Sequence, residues 1–181
     1  MKALAMFADG MEESEGLIVV DMMLRAGIHV KTVSIKDDLV ITGSHGIKIV
    51  CDETMEEADF DGAGILFLPG GKKGTDNLAS CKELAEKILE FDQKGKRLAA
   101  VCAAPSVYGR MGLLKGRKAT CYPGFEEDLT GAKVSFEPCI VDGNVITGRG
   151  MGCAIDFSLA IITELLNVEE ANELAAKIIY R

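Results

Sequence analysis

The sequence predicts an α/β fold in one domain over residues 1–181, with a doubly wound, mostly parallel sheet sandwiched by helices. Three observations favour this fold class. Short apolar runs typical of buried strands alternate with segments of helical period along the chain. The chain opens as strand, helix and strand, which favours a right-handed crossover and parallel pairing. No linker, internal repeat or low-complexity segment interrupts the 181 residues, so we expect a single core.

The first part of the chain contains a βαβ unit followed by a small β-hairpin insertion. The expected elements are strand 2–8, helix 11–26, strand 28–35, hairpin strands 39–42 and 47–51, a helical turn at 54–58, and strand 64–68. Gly27 follows the first helix, where a C-terminal glycine is common. The period of that helix predicts Leu17, Val20 and Leu24 on its buried face.

The second part continues the alternation. The expected elements are helix 82–94, strand 98–101, helix 106–111, strand 118–121, a helical turn at 125–129, short strands 134–136, 139–141 and 145–147, a long helix from 152, and helix 168–180. Leu84, Ile88 and Phe91 are expected to face inward from the first of these helices. The buried faces expected for the last two are Ile155, Leu159, Ile162 and Leu166, and Leu174, Ala175 and Ile178.

Cys102 lies at the corner between a predicted buried strand and a predicted helix that begins at Pro105. Ala100 and Ala104 flank it at two residues' distance, and such small neighbours give a strand-to-helix turn its clearance. The N–H groups at the start of the helix would favour the thiolate. The sequence therefore predicts a nucleophile elbow with cysteine as the nucleophile. The alternative is that Cys102 is a small buried core residue.

Three loops follow strands at the predicted carboxyl edge of the sheet, where open α/β sheets bind ligands. They are residues 9–15, residues 69–74 and Cys102 itself. Gly70 and Gly71 could aim backbone N–H groups at a ligand and form an oxyanion hole, although this pair alone also fits an ordinary turn. Among Glu12, Glu13 and Glu15, spacing does not choose which carboxyl could act as general acid and base beside Cys102.

Composition limits the possible functions. The formal net charge of −8 and the lack of a basic cluster argue against direct nucleic-acid binding. No apolar run reaches the length of a membrane span, and neither a signal peptide nor a membrane partner is expected, so the predicted location is the cytoplasm. The six cysteines are dispersed and are expected to be reduced thiols. The two histidines lack ligand-like spacing, so no metal site is expected, and neither is obviously placed to pair with Cys102.

Four motifs, in this order along the chain, resemble those of the ThiJ/PfpI family, in particular the subgroup of the Parkinson-disease-linked protein deglycase. They are residues 10–15 (GMEESE), 68–71 (LPGG), 100–105 (AVCAAP) and 147–150 (TGRG), and the resemblance covers nearly the whole chain. It implies a flavodoxin-like sandwich, a homodimer and no cofactor. It also implies that Cys102 is the reactive cysteine, that Glu15 is its acidic partner, and that Gly71 and Ala103 supply oxyanion-hole N–H groups.

The resemblance also assigns the surrounding pocket. It places Gly70, Tyr122, Pro123 and Arg149 around the cysteine, with Arg149 near the rim and the dimer contact. Proteases of the family carry histidine directly after the cysteine, and Ala103 stands there instead, so protease activity is not expected. The subgroup's His-Pro pair is matched by Tyr122 and Pro123. Because tyrosine is a poor base at neutral pH, Glu15 would have to transfer the proton alone.

Two functions follow from this resemblance. The first is a cysteine-dependent, cofactor-free glyoxalase or deglycase that acts on a small aldehyde such as methylglyoxal, or on a glycated substrate. The alternative is a non-enzymatic oxidative-stress sensor or chaperone, in which Cys102 is oxidised to the sulfinate.

Overall fold

Eleven strands are present in the computed structural model, which describes residues 1–180. They are β1 Lys2–Phe7, β2 His29–Ser34, β3 Val40–Thr42, β4 Lys48–Val50, β5 Glu53–Thr54, β6 Ala63–Leu68, β7 Arg97–Val101, β8 Lys118–Ala119, β9 Lys133–Val134, β10 Cys139–Asp142 and β11 Val145–Gly148. Seven of them form the central sheet, in the order β10-β11-β7-β6-β1-β2-β5. Only β10 and β11 pair antiparallel in that sheet, so the predicted mostly parallel sheet is confirmed.

Two small sheets lie outside the central one. β3 and β4 form the predicted antiparallel hairpin, and β8 pairs with β9 in parallel. β5 corrects one end of the helical turn predicted at 54–58, because Thr54 pairs in a strand with the end of β2, whereas a turn does follow, with the Ala58 N–H donating to the Met55 carbonyl at 3.3 Å. This pairing is between segments far apart in the sequence, and a two-residue strand has no period of its own to indicate it.

Six α-helices accompany the strands: α1 Glu13–Arg25, α2 Lys72–Ser80, α3 Lys82–Gln93, α4 Pro105–Arg110, α5 Ala154–Leu165 and α6 Val168–Lys177. Five were predicted from the sequence, but α2 was not. Its sequence KKGTDNLAS contains little apolar period, and it packs through Gly74, Thr75 and Leu78. Within residues 1–180, every helix is too short or too polar to cross a bilayer.

The helices cover both faces of the central sheet, as the doubly wound prediction requires. Alternate β1 residues enter different cores, because successive side chains of a strand point to opposite faces. Leu4 joins the core beneath α2, α3 and α4, whereas Phe7 joins the core beneath α1, α5 and α6. The carboxyl ends of β1, β6 and β7 therefore meet at one edge between the two helical layers.

The buried face predicted for the first helix is right only for Val20, which packs partly buried against the core. Leu17 and Leu24 are 42% and 52% exposed, whereas Val19, Met22 and Met23 are buried. This helix is apolar around much of its circumference, so its period is compatible with more than one inward face. Packing against α5 decides between them.

The face predicted for α5 is also only partly right. Ile162 is buried, but Leu166 is 41% exposed and lies beyond the last helical residue. Phe157, Ile161 and Leu165 occupy the core instead. As in α1, the helical period does not select one buried face, because α5 is apolar on nearly all sides. The predicted inward residues of α3 are all buried, because the charged residues of that helix leave only one apolar face.

Candidate active site

Cys102 occupies a sharp corner between β7 and α4. Its φ of 63° is in the left-handed region, which non-glycine residues seldom adopt. The turn is held on both sides, because the Cys102 N–H donates to the Gly148 carbonyl at 3.0 Å and the Tyr122 N–H donates to the Cys102 carbonyl at 2.8 Å. Strained backbone held in this way is the geometry of a nucleophile elbow.

The Glu15 carboxyl lies directly beside the cysteine. It is 1% exposed, accepts a hydrogen bond from the Gly70 N–H at 3.1 Å and another from the Met151 N–H, and contacts the Cys102 thiol. Gly70 makes this approach possible, since a Cβ there would lie 2.5 Å from the Cβ of Cys102 and would collide with the carboxylate of Glu15. The structure thus selects Glu15 among the three glutamates that spacing left open.

Two further N–H groups, from Gly71 and Ala103, point at the Cys102 sulfur. Gly71 has a φ of 86°, and a Cβ there would lie 2.6 Å from both the Glu12 nitrogen and the Gly10 oxygen. Only glycine therefore fits this turn. The two donors lie where negative charge on sulfur, or on an oxygen bonded to an attacked carbon, would need stabilisation.

The ionisation of the pair differs from the expectation of a thiolate favoured by the helix N-terminus. Burial first, and then the Glu15 charge, raise the pKa of Cys102 to about 12, although the Gly71 and Ala103 N–H groups act in the opposite direction. Burial likewise raises the pKa of Glu15 to about 7, although its hydrogen bond with Cys102 lowers it. Because protonation of Glu15 removes a negative charge beside the sulfur, the two groups titrate as a coupled pair.

An open cleft of about 700 Å³ leads to the sulfur. Seven of the predicted site residues line it: Glu15, Gly71, Cys102, Ala103, Tyr122, Pro123 and Arg149. Gly70 does not line the cleft and contacts the pair from behind. The sequence analysis included Lys72 in the loop 69–74 and Gly150 in a motif without naming either as a site residue, and it missed Phe125 and residues 151–153 as lining residues. Lys72 directly follows Gly71 and residues 150–153 directly follow Arg149, so adjacency to known motifs could have indicated most of them.

Among residues 1–180, neither histidine pairs with Cys102. His45 contacts Glu13 instead, with its Nδ1 3.0 Å from one carboxylate oxygen and its backbone N–H donating to the other at 2.8 Å. Within residues 1–180, Glu12, Glu13 and His45 are the group whose ligand atoms lie close enough to share a metal ion, all within 4.8 Å of one another. Hydrogen bonds from Ser44 and His45 already satisfy Glu13, so this cluster needs no ion, and the absence of a metal stays a prediction.

The whole chain resembles proteins of known family. The sequence pattern of the DJ-1/PfpI family matches residues 1–164. Protein DJ-1 homolog B of Arabidopsis thaliana is 34% identical over an alignment of 182 positions that covers 99% of this chain and 42% of that protein, so the chain spans less than half of that relative. The Parkinson disease protein 7 homolog of Danio rerio is 34% identical over 99% of this chain and 97% of its own length.

One relative and one solved structure add to this. A deglycase of Pyrococcus abyssi is 33% identical over 84% of this chain and 92% of its own length. The crystal structure of a DJ-1 superfamily protein from Salmonella typhimurium, a cysteine-to-alanine mutant, superposes with a TM-score of 0.95 at 30% identity and covers 99% of this chain and 98% of that one. These matches confirm the family resemblance and the flavodoxin-like fold. The chain belongs to the DJ-1/PfpI family.

Proposed function

We propose that the protein is a cysteine-dependent, cofactor-free glyoxalase or deglycase that acts on methylglyoxal or on glycated adducts. One observation carries the proposal: the Cys102 thiol contacts a buried carboxyl with a pKa of about 7, beneath two backbone N–H donors. A group with a pKa near neutrality can both accept and donate a proton during a reaction. The similarity to a deglycase of Pyrococcus abyssi supports the same chemistry.

The reaction balances with methylglyoxal and one water. The Cys102 sulfur adds to the aldehyde carbon, the thiol proton passes through Glu15 to the aldehyde oxygen, and a hemithioacetal forms. The Glu15 carboxylate then removes the proton from that carbon and returns it to the neighbouring carbon, while the hydroxyl proton of the hemithioacetal passes to the former ketone oxygen, which leaves a thioester of lactate on Cys102. Water hydrolyses the thioester, releases lactate and restores the thiol. The Gly71 and Ala103 N–H groups would stabilise negative charge on sulfur and oxygen.

The experiment is lactate production from methylglyoxal by the purified protein and by two cysteine variants. Cys102→Ser should lose turnover by about 10³-fold or more, because it removes the nucleophile. Cys81→Ser is the matched control, since Cys81 is a free cysteine between α2 and α3 that does not line the cleft, and it should keep full activity. Turnover retained in Cys102→Ser would refute the mechanism.

The same donors favour a second candidate, an oxidative-stress sensor or chaperone. A Cys102 sulfinate could accept hydrogen bonds from Gly71 and Ala103 and from a protonated Glu15. Mass spectrometry after mild peroxide treatment should then show oxidation at Cys102 before the other five cysteines. Even oxidation over all six would contradict this candidate.

The proposal includes a homodimer in the cytoplasm. All six cysteines are free thiols in the structure, which suits a reducing compartment. Exposed apolar side chains on α1 and the hairpin, namely Leu17, Leu24, Ile47 and Val50, support a partner surface on that side. Light scattering should show two chains per particle, and a monomer at micromolar concentration would contradict the dimer.

A further inference from the structure

Two cationic side chains line the cleft without an acidic partner. Lys72 and Arg149 both belong to its lining, and within residues 1–180 neither forms an ion pair. The Arg149 guanidinium lies 5.2 Å from the centre of the Phe136 ring, a contact that orients the group without neutralising its charge. The chain as a whole carries a net charge of −8, so two cations without an ion-pair partner beside Cys102 are not explained by the overall composition.

Within residues 1–180, neither acid of the same cleft forms an ion pair with these two cations. A Glu12 carboxylate oxygen lies 3.1 Å from the Ser44 hydroxyl oxygen, which also contacts Glu13, and 3.6 Å from His45 Nδ1. Glu15 has a pKa of about 7, so at neutral pH it carries a full charge only part of the time. The cleft therefore presents to a ligand two cationic side chains that form no ion pair within residues 1–180.

Both cations are tied to the backbone that holds Cys102. Lys72 directly follows Gly71, whose N–H points at the sulfur. Arg149 directly follows Gly148, whose carbonyl accepts the Cys102 N–H at 3.0 Å. Each side chain is therefore attached one residue away from a backbone group that hydrogen-bonds to Cys102. Because lysine and arginine side chains are long, their charges can contact a part of the substrate beyond the reacting carbon.

We propose that Lys72 and Arg149 bind an anionic group of the substrate, so that the preferred substrate is an α-oxo aldehyde bearing a carboxylate rather than a neutral one. This inference rests on the proposed glyoxalase function and specifies its substrate class. With dioxovalerate, the same steps add one water and convert the aldehyde and ketone into the carboxylate and alcohol of hydroxyglutarate. The cations bind the distant carboxylate, which takes no part in the bond changes.

The test compares dioxovalerate with propylglyoxal, an uncharged α-oxo aldehyde of the same carbon number. The kcat/KM ratio should favour dioxovalerate by about tenfold or more, mainly through KM, because a charge-assisted hydrogen bond contributes at this level. Lys72→Gln and Arg149→Gln should each lower kcat/KM for dioxovalerate by about tenfold and lower it much less for propylglyoxal, so that the ratio between the two substrates falls. Lys73→Gln is the control, since Lys73 is the exposed neighbour outside this cleft.

The outcomes separate the inference from the function on which it rests. Equal turnover of both substrates, or variants that slow both equally, would overturn the anion site and leave the glyoxalase intact. Turnover of neither would refute the glyoxalase, and calorimetric titration of Cys102→Ser with hydroxyglutarate would then decide the anion site. Binding that is lost on Lys72→Gln and kept on Lys73→Gln would support the site, and no binding would overturn it.

Discussion

Glu13 and Glu15 lie in the first turn of the same helix, and both are buried, yet their environments drive their pKa values in opposite directions. They are 3% and 1% exposed. Burial alone would raise the pKa of Glu13, but hydrogen bonds from His45 and Ser44 outweigh it and lower the value from 4.5 to about 2. Burial raises the pKa of Glu15 from 4.5 to about 7, because its neighbours are a thiol, another carboxylate and backbone N–H groups.

The difference shows that burial alone does not decide what a buried carboxyl can do, because hydrogen-bond partners can outweigh it. Glu13 faces a hairpin that supplies an imidazole and a hydroxyl, so it stays ionised and joins α1 to that hairpin. Glu15 faces Cys102 and no cation, so it can exchange a proton near neutral pH. Glu13 therefore has a structural role, whereas the proposed mechanism assigns proton transfer to Glu15.

The largest expected effect contrasts the two glutamates by activity. Glu15→Gln should lower kcat for methylglyoxal by about 10²–10⁴-fold, because it removes the general base while keeping the shape of the side chain. Glu13→Gln should leave kcat nearly unchanged, since Glu13 does not contact the thiol. Lactate formation by folded samples of both variants measures this. An equal loss in the two would show that the contrast between them has no catalytic meaning.

A smaller effect is expected from the glycines that lie against each carboxyl. A Cβ on Gly70 would press on Glu15 and Cys102, and a Cβ on Gly43 would press on the Glu13 carboxyl. Gly70→Ala should therefore lower kcat by about 10²-fold through misplacement of the reacting groups. Gly43→Ala should cost stability, about 1–3 kcal/mol, while kcat is kept. Thermal unfolding and initial rates should be measured for both variants. A loss of kcat in Gly43→Ala as large as that in Gly70→Ala would contradict the prediction.

The smallest effect is the pH dependence of stability, which should differ in sign between the two sites. Since the folded pKa of Glu13 is lowered to about 2, its stabilisation is present above pH 4.5 and is lost as the pH falls towards 2. The folded pKa of Glu15 is raised to about 7, so its contribution is full below pH 4.5 and is lost as the pH rises through 7.

Urea unfolding across pH measures these contributions. Relative to the native protein, Glu15→Gln should gain stability on the order of 2 kcal/mol as the pH rises from about 5 to about 8. Glu13→Gln should be less stable over that range, by a difference that shrinks below about pH 4. A parallel pH dependence in the two variants would mean that both carboxyls share one environment.

Much of the architecture was predictable because it depends on local pattern. The strand at β7, Cys102 and Pro105 are consecutive in the chain, so the elbow was visible in eleven residues, 96–106. The inward residues of α3 were also visible, since its polar side is well defined. The inward faces of α1 and α5 were not, because helices that are apolar on most sides need a neighbour to select the buried one.

The sequence by itself determined the alternation of elements, the corner at Cys102 and the glycines that let other chain segments approach it. Tertiary structure alone decided which glutamate meets the sulfur, which cations line the cleft and how each buried carboxyl ionises. The physical reason is the separation along the sequence of the groups involved. Strand and helix patterns are set by residues a few positions apart, whereas a pKa depends on groups that the fold brings together from distant segments. Glu15 and Gly70 are 55 positions apart, and they meet only because β1 and β6 are neighbours in the sheet.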